Sequence, residues 1–129
     1  MKLSQKDYGL AVLRIGMAGL MLTHGYGKFN MLIGGGEIQF PSVLGMSPTI
    51  SLALAVLGEF IAPILILIGF KTKLSAIPAA ITMAVAAFVI HGSDPLAKKE
   101  LALLYLTGFL AIALLGAGKI SLDAMINKK

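Results

Sequence analysis

Cysteine and tryptophan are both absent from these 129 residues. Without cysteine there is no disulfide framework, no thiolate-held iron–sulfur cluster and no CxxC redox pair. In any redox chemistry the electrons must then sit on a bound cofactor, a quinone or a partner chain. Charge is scarce as well. Asp, Glu, Lys and Arg make up 13% of the chain, about half of what a soluble domain carries. No P-loop, GxGxxG, HExxH or GxSxG stretch occurs, which argues against a self-sufficient hydrolase or nucleotide enzyme. What the chain has instead is apolar length: 57% of residues are hydrophobic and the mean hydropathy is +0.90. This is the composition of a membrane protein. The net charge of +5 then reads as lysines facing the cytoplasm rather than as a nucleic-acid surface.

Four apolar segments, about 7–24, 48–68, 74–90 and 95–115, each approach the ~20 residues needed to cross a bilayer. They predict an all-α fold, a transmembrane four-helix bundle forming a single membrane domain over residues 1–129. Lys2 and Lys6 ahead of the first apolar run resemble the start of a signal peptide. Arg14 interrupts that run and no small-x-small cleavage site follows before His24, so it is read as a retained first span. Lys2, Lys6, Lys71, Lys73, Lys119, Lys128 and Lys129 fall on one side of such a bundle. Lys28, Lys98 and Lys99 fall on the other. By the positive-inside bias both termini are cytoplasmic. Ser47-Pro48 and Asp94-Pro95 read as helix starts, a capping side chain followed by proline. The connection from Gly25 to Ser47 is long, flexible at Gly34-Gly35-Gly36 and too apolar for a free loop. It is expected on the membrane surface or folded over the bundle mouth. Residues 120–129 alternate apolar and polar positions like a short interfacial helix.

Polar residues inside apolar spans are costly and call for partners. Glu59 stands near the middle of the second span, four residues before Pro63. That proline has no N–H for the carbonyl of residue 59, which predicts a kink there. Arg14 lies ten residues before His24 and Glu59 eleven after Pro48. Both counts give a depth of about 15 Å from the outer surface at ~1.5 Å per residue, and an Arg14–Glu59 ion pair is the natural inference. The pair either locks two spans in register or lines a polar cavity in which Glu59 relays a proton. Ala55, Glu59 and Ala62 share one face, as do Ala80, Ala84, Ala87 and His91. Such small-residue stripes permit close helix approach in lipid. His24 and His91 end their spans at the outer face, with Lys28, Glu100, Tyr26 and Tyr105 near them. The tyrosines read as interfacial belt residues, and Glu100 as a carboxylate in the first turn of the fourth span. The histidines are open to three readings: plain interfacial residues, a shared site for a small molecule or proton, or an axial pair for heme.

The order of several short pieces resembles the DoxX family over nearly the whole chain. These are Leu13-Arg14 with Gly19, His24-Gly25-x-x-Lys28, Gly58-Glu59 before an aliphatic run, and Ile68-Gly69-Phe70 leading to Lys73 and Ala76. His91 follows an alanine-rich span, and the series closes with Gly116-Ala117-Gly118-Lys119-Ile120-Ser121-Leu122-Asp123. The resemblance implies a four-helix membrane bundle associated with membrane oxidoreductases, since relatives serve as small subunits in quinone-linked thiosulfate oxidation. The expectation is therefore a redox-associated, quinone-linked membrane subunit with no metal ligands. It would bind a small molecule among His24, His91, Lys28 and Glu100, with Glu59 and Arg14 beneath them. Quinone is the first candidate cofactor and heme the second. An oxidoreductase partner or a homo-oligomer would complete it. The competing expectation is a non-catalytic scaffold or a component of a small-solute permease.

Overall fold

The computed structural model describes residues 2–127, whose regular secondary structure is all helical, with no strand among them. Helix α1 (Gln5–Ile33) starts in a capping box: Ser4 Oγ accepts from the Asp7 amide, and the Asp7 carboxylate accepts from the Ser4 amide at 2.8 Å. It runs nine residues beyond the end expected at His24 and stops at the Gly34-Gly35-Gly36 stretch. The second rod is a composite of α2 (Pro48–Val56), a π-helical turn (Leu57–Ile61) and α3 (Ala62–Ile68). Ser47 caps it, accepting from the Ile50 amide at 3.2 Å, as the Ser-Pro pair predicts. Its π-turn lies where the Glu59–Pro63 break was expected. The Ala62 amide reaches back five residues to the Leu57 carbonyl, so the missing Pro63 N–H is absorbed by a local widening. Gly69, at φ +76°, closes α3: its amide bonds Ile66 O and the Phe70 amide bonds Leu65 O, the pattern of a Schellman end.

Helix α4 (Thr72–Val85) continues into a second π-helical turn (Ala86–Ile90), and α5 (Leu96–Leu115) follows. Helix α5 has no side-chain cap. Asp94, expected there, turns its carboxylate onto His91 Nδ1 instead, at 2.8 Å. A short α6 (Leu122–Asn127) matches the expected tail helix. Lys128 and Lys129, counted in the orientation reading, lie outside the described residues. Helix α1 packs on the second rod, that rod on α4, α4 on α5, and α5 back on α1.

Side-chain size is sorted inside out relative to a soluble protein. The core holds Ala18, Ala62, Ala76, Ala79 and Ala80 around Met21, Ile66, Met83, Phe109 and Ile112. Large aliphatics such as Val12, Leu20, Leu74, Leu104 and Leu114 face outward. Small inner faces and large apolar outer ones suit helices that meet closely in lipid. Among the described residues, two helices are long and apolar enough to cross a membrane, Pro48–Ile68 at mean hydropathy 2.4 and Thr72–Ile90 at 1.9. The Ala55–Glu59–Ala62 face is buried, as expected, and so are Ala80 and Ala87 on α4 and its π-turn.

The tail is clasped onto the turn between α3 and α4. Asp123 accepts from the Lys71 amide at 2.6 Å and the Thr72 amide at 2.9 Å, and its own amide donates to Gly69 O at 2.8 Å. Asp123 thus caps α4 from a residue 51 positions away. Partial burial works against its charge. The amides of Thr72 and Lys71 and the nearby Arg14 guanidinium outweigh that, and the carboxyl is held below its usual range. A depressed carboxyl stabilises the fold above the unfolded-state value of about 3.9 and loses that contribution as pH falls through the folded value. Asp123→Ala should therefore lower stability by about 1–2 kcal/mol, the usual cost of a lost cap. The deficit relative to wild type should be full at neutral pH and shrink below about pH 4. Unfolding of both proteins followed by circular dichroism across that range checks it; a deficit independent of pH would remove the charge from the explanation.

Candidate functional site

Two glycines let the second rod sink into its neighbours. A Cβ on Gly25 would strike the carbonyl of Glu59, and a Cβ on Gly58 would strike Thr82 and the carbonyl of Pro78. The widened turn carrying Glu59 is therefore gripped by α1 on one side and α4 on the other. Lys28 follows Gly25 by about one helical turn, on the same face of α1. From there its Nζ donates to Glu59 Oε1 at 2.6 Å. The Glu59 side chain is 7% exposed and that of Lys28 is 30%, so the carboxylate is the more deeply committed partner. Phe29 and Phe60 stack beside them, ring centres 4.4 Å apart.

This ion pair stands between two cavities. The larger, about 560 Å³, lies between α2 and the outer part of α4, with residues 40–46 of the long connection folded across it. Its walls are nearly all apolar. The smaller, about 160 Å³, is lined by His24, Tyr105 and Lys98 among others. Lys28, Glu59, Ala86 and His91 border both. The connection is pinned by the Val43 amide, which donates to Ser51 Oγ at 3.0 Å. It covers the mouth, one of the two placements expected of it.

His91 ends the second π-turn with Nδ1 on Asp94. An ionised carboxylate only accepts, so Nδ1 carries the proton and a neutral ring keeps Nε2 as an acceptor. His24 meets the edge of Tyr105 at 5.8 Å between centroids. Tyr105 is buried and stacks on Phe109, a core position rather than the belt position expected of it. Glu100 is exposed, sits beyond the first turn of α5 and borders neither cavity.

The expected Arg14–Glu59 pair is not formed. Arg14 is buried at the opposite end, where Nη1 donates to Ala117 O at 2.8 Å and Nη2 to Leu67 O at 3.5 Å. It braces the clasp that Asp123 closes. The depth count failed because it took His24 as the outer end of span one, and α1 continues to Ile33. Nine more residues shift the register by about 14 Å, which takes Arg14 out of reach of Glu59; Gly25 lies against the Glu59 backbone, and Lys28 one turn on is the cation beside it. His24-Gly25-Tyr26-Gly27 looks like a helix end, yet Gly25 stays inside the helix as a contact point for the Glu59 backbone. A helix continued through those glycines is the signal that would have found Lys28. A double-mutant cycle between Arg14→Met and Glu59→Gln should show coupling below about 0.5 kcal/mol, the behaviour of separated sites. A cycle between Lys28→Met and Glu59→Gln should exceed about 1 kcal/mol, as contacting charges do. Large coupling in the first cycle would restore the original pairing.

Comparison with known proteins finds similarity over most of the chain. The sequence model of the DoxX family matches residues 9–92. The chain is similar to the inner membrane protein YqjF of Escherichia coli K12, at 33% identity over 130 residues covering 96% of each chain. It is also similar to two uncharacterized proteins of Haemophilus influenzae Rd. One is 33% identical, with 96% of this chain and 95% of that one covered; the other is 32% identical, with 92% and 83% covered. No solved structure matches.

Proposed function

The chain belongs to the DoxX family, and from that premise we propose that it is a redox-associated subunit binding a quinone-like molecule within the bacterial inner membrane. The observation that carries this reading is the Lys28–Glu59 pair, a half-buried ion pair bordering two cavities beside an oriented histidine. Ionisable groups at such depth ordinarily face a pathway or a ligand. In this reading all four long helices cross the membrane as a four-helix bundle with both termini in the cytoplasm, residues 1–129 forming one domain. The outward-facing aliphatics of α1 and α5 (Val12, Leu20, Leu104 and Leu114 among them) support spans in those two helices as well.

A quinone carbonyl would take its hydrogen bond from the ammonium of Lys28, and His91 Nε2 would face the ring. Glu59 would accept and relay a proton, with Lys28 in the place first given to Arg14 as its partner cation. Arg14 would act only at a distance, by fixing the clasp between the rods. His24 would border the smaller cavity against Tyr105. Glu100 has no place in the site. Electrons would come from a partner oxidoreductase, since no side chain here carries them. The smaller cavity, at about 160 Å³, is below the roughly 300–1,000 Å³ of ordinary ligand sites, which disfavours heme held between His24 and His91.

Purification in mild detergent, with a visible spectrum and mass spectrometry of the extracted lipids, tests the proposal. A co-purifying quinone that is lost from Lys28→Met is the expected result. A clean extract with no quinone binding on titration would leave the scaffold or permease reading instead.

A further inference from the structure

The larger cavity has a shape that bears on which ligands reach the ion pair. The second rod and α4 touch at Gly58, against Thr82 and Pro78 O. Outward of that crossing, α2 has little contact with α4 or with the second π-turn. The two helices splay into a cleft, and its rims are exposed aliphatics: Leu54 (47% exposed), Leu57 (45%), Ile81 (59%) and Ile90 (41%). In a membrane chain such rims face acyl chains, so the cleft opens sideways into lipid and not only to water. Its inner end is Lys28, Glu59 and His91.

An occupant entering chain-first would press a methyl group against a half-buried ion pair and desolvate it with nothing in return, which is costly. An occupant entering head-first would meet a donor. An ammonium has three N–H groups, and Lys28 gives one of them to Glu59 Oε1. We infer that the cleft binds a single-chain membrane amphiphile head-first, its apolar chain between α2 and α4 and its head-group acceptor oxygen on Lys28. The shared chemistry is an oxygen acceptor, carbonyl or carboxylate, on a flexible apolar chain. The cavity volume of about 560 Å³ falls inside the range of small-molecule sites. The inference rests on the pocket reading above and adds to it the route of entry, the orientation and the need for a chain.

The test uses the full chain in phosphatidylcholine nanodiscs and two photoreactive probes with a diazirine in mid-chain, one an alkyl quinone and the other a fatty acid. Cross-linked residues are mapped by mass spectrometry. At least tenfold more label on Leu54, Leu57, Ile81 and Val85 than on the lipid-facing Val12 and Leu114 is expected with one or both probes. Whichever probe labels identifies the head as carbonyl or carboxylate. Leu54→Trp at the rim and Ala55→Trp deeper in the cleft should each cut cleft labelling about tenfold. The rim variant keeps the test decisive if the deeper one fails to fold. Even labelling over all lipid-facing positions, or cleft labelling that ignores both tryptophans, overturns the inference. A chainless benzoquinone added as competitor separates the two proposals. If it binds and is lost from Lys28→Met while neither chain probe labels the cleft, only the chain and its route fail. If neither the competitor nor the probes bind, the pocket reading falls with them.

Discussion

Lys28→Met is expected to lower stability by about 3 kcal/mol or more, while Glu59→Gln is expected to cost only about 1 kcal/mol. The asymmetry follows from burial. Removing the ammonium strands a carboxylate that is 7% exposed, and breaking a buried pair from one side typically costs about 3–5 kcal/mol. Removing the carboxylate's charge leaves a lysine that is 30% exposed. Its flexible stem can turn the ammonium outward, and the glutamine oxygen still accepts, so the loss is nearer that of one hydrogen bond. Combining the two substitutions should recover much of the Lys28→Met loss, because no charge is then stranded. Unfolding in mild detergent, followed by circular dichroism against added denaturing surfactant, measures all three variants. If Glu59→Gln proves the more damaging single change, the carboxylate is not the buried partner and the site as drawn is wrong.

Gly25→Ala should be comparably severe, at about 3 kcal/mol, near the upper end for forcing extra volume into a packed interior. The new methyl would meet the carbonyl oxygen and carbon of Glu59 and the amide nitrogen of Phe60. These are backbone atoms, and no rotamer change can relieve the collision. Helix α1 would have to move off the π-turn, taking Lys28 away from Glu59, so any ligand bound at the pair should be lost with the stability. Gly27→Ala is the internal control. A Cβ there meets nothing within 4 Å, and alanine favours a helix interior over glycine by roughly 0.5–1 kcal/mol. It should be neutral or stabilising. Equal losses at the two positions would mean that glycine at 25 serves helix flexibility rather than contact.

These expectations depend on side-chain partners, and partners were the part of the site that the sequence left ambiguous. Glu59 and its neighbouring proline pointed to an irregular turn with a carboxylate in need of company. The structure has the π-turn and the ion pair there. The identity of the company turned on where α1 ends. Gly25 and Gly27 carry a stop signal locally, yet the helix continues because tertiary contact with the Glu59 carbonyl makes the absence of a Cβ useful. The same kind of signal at Gly34-Gly35-Gly36, with no partner to override it, does stop the helix. Asp94 illustrates the converse. Its position before Pro95 reads as a cap, but the imidazole of His91 three residues earlier offers a stronger acceptor–donor pair and takes the carboxylate.

From its sequence alone, the chain was bound to be helical and apolar, to begin its second rod at Ser47-Pro48, to turn near Gly69 and to face Glu59 inward with small residues. Those outcomes rest on interactions within about four residues and on hydropathy, which a linear reading samples directly. Only the tertiary structure decided that Lys28 meets Glu59, that Arg14 and Asp123 fasten the tail at the far end, and that α2 and α4 part to leave a cleft. Each of these depends on the axial register between helices. A single misjudged helix end displaces that register by 1.5 Å per residue, enough over nine residues to carry Arg14 out of reach of Glu59.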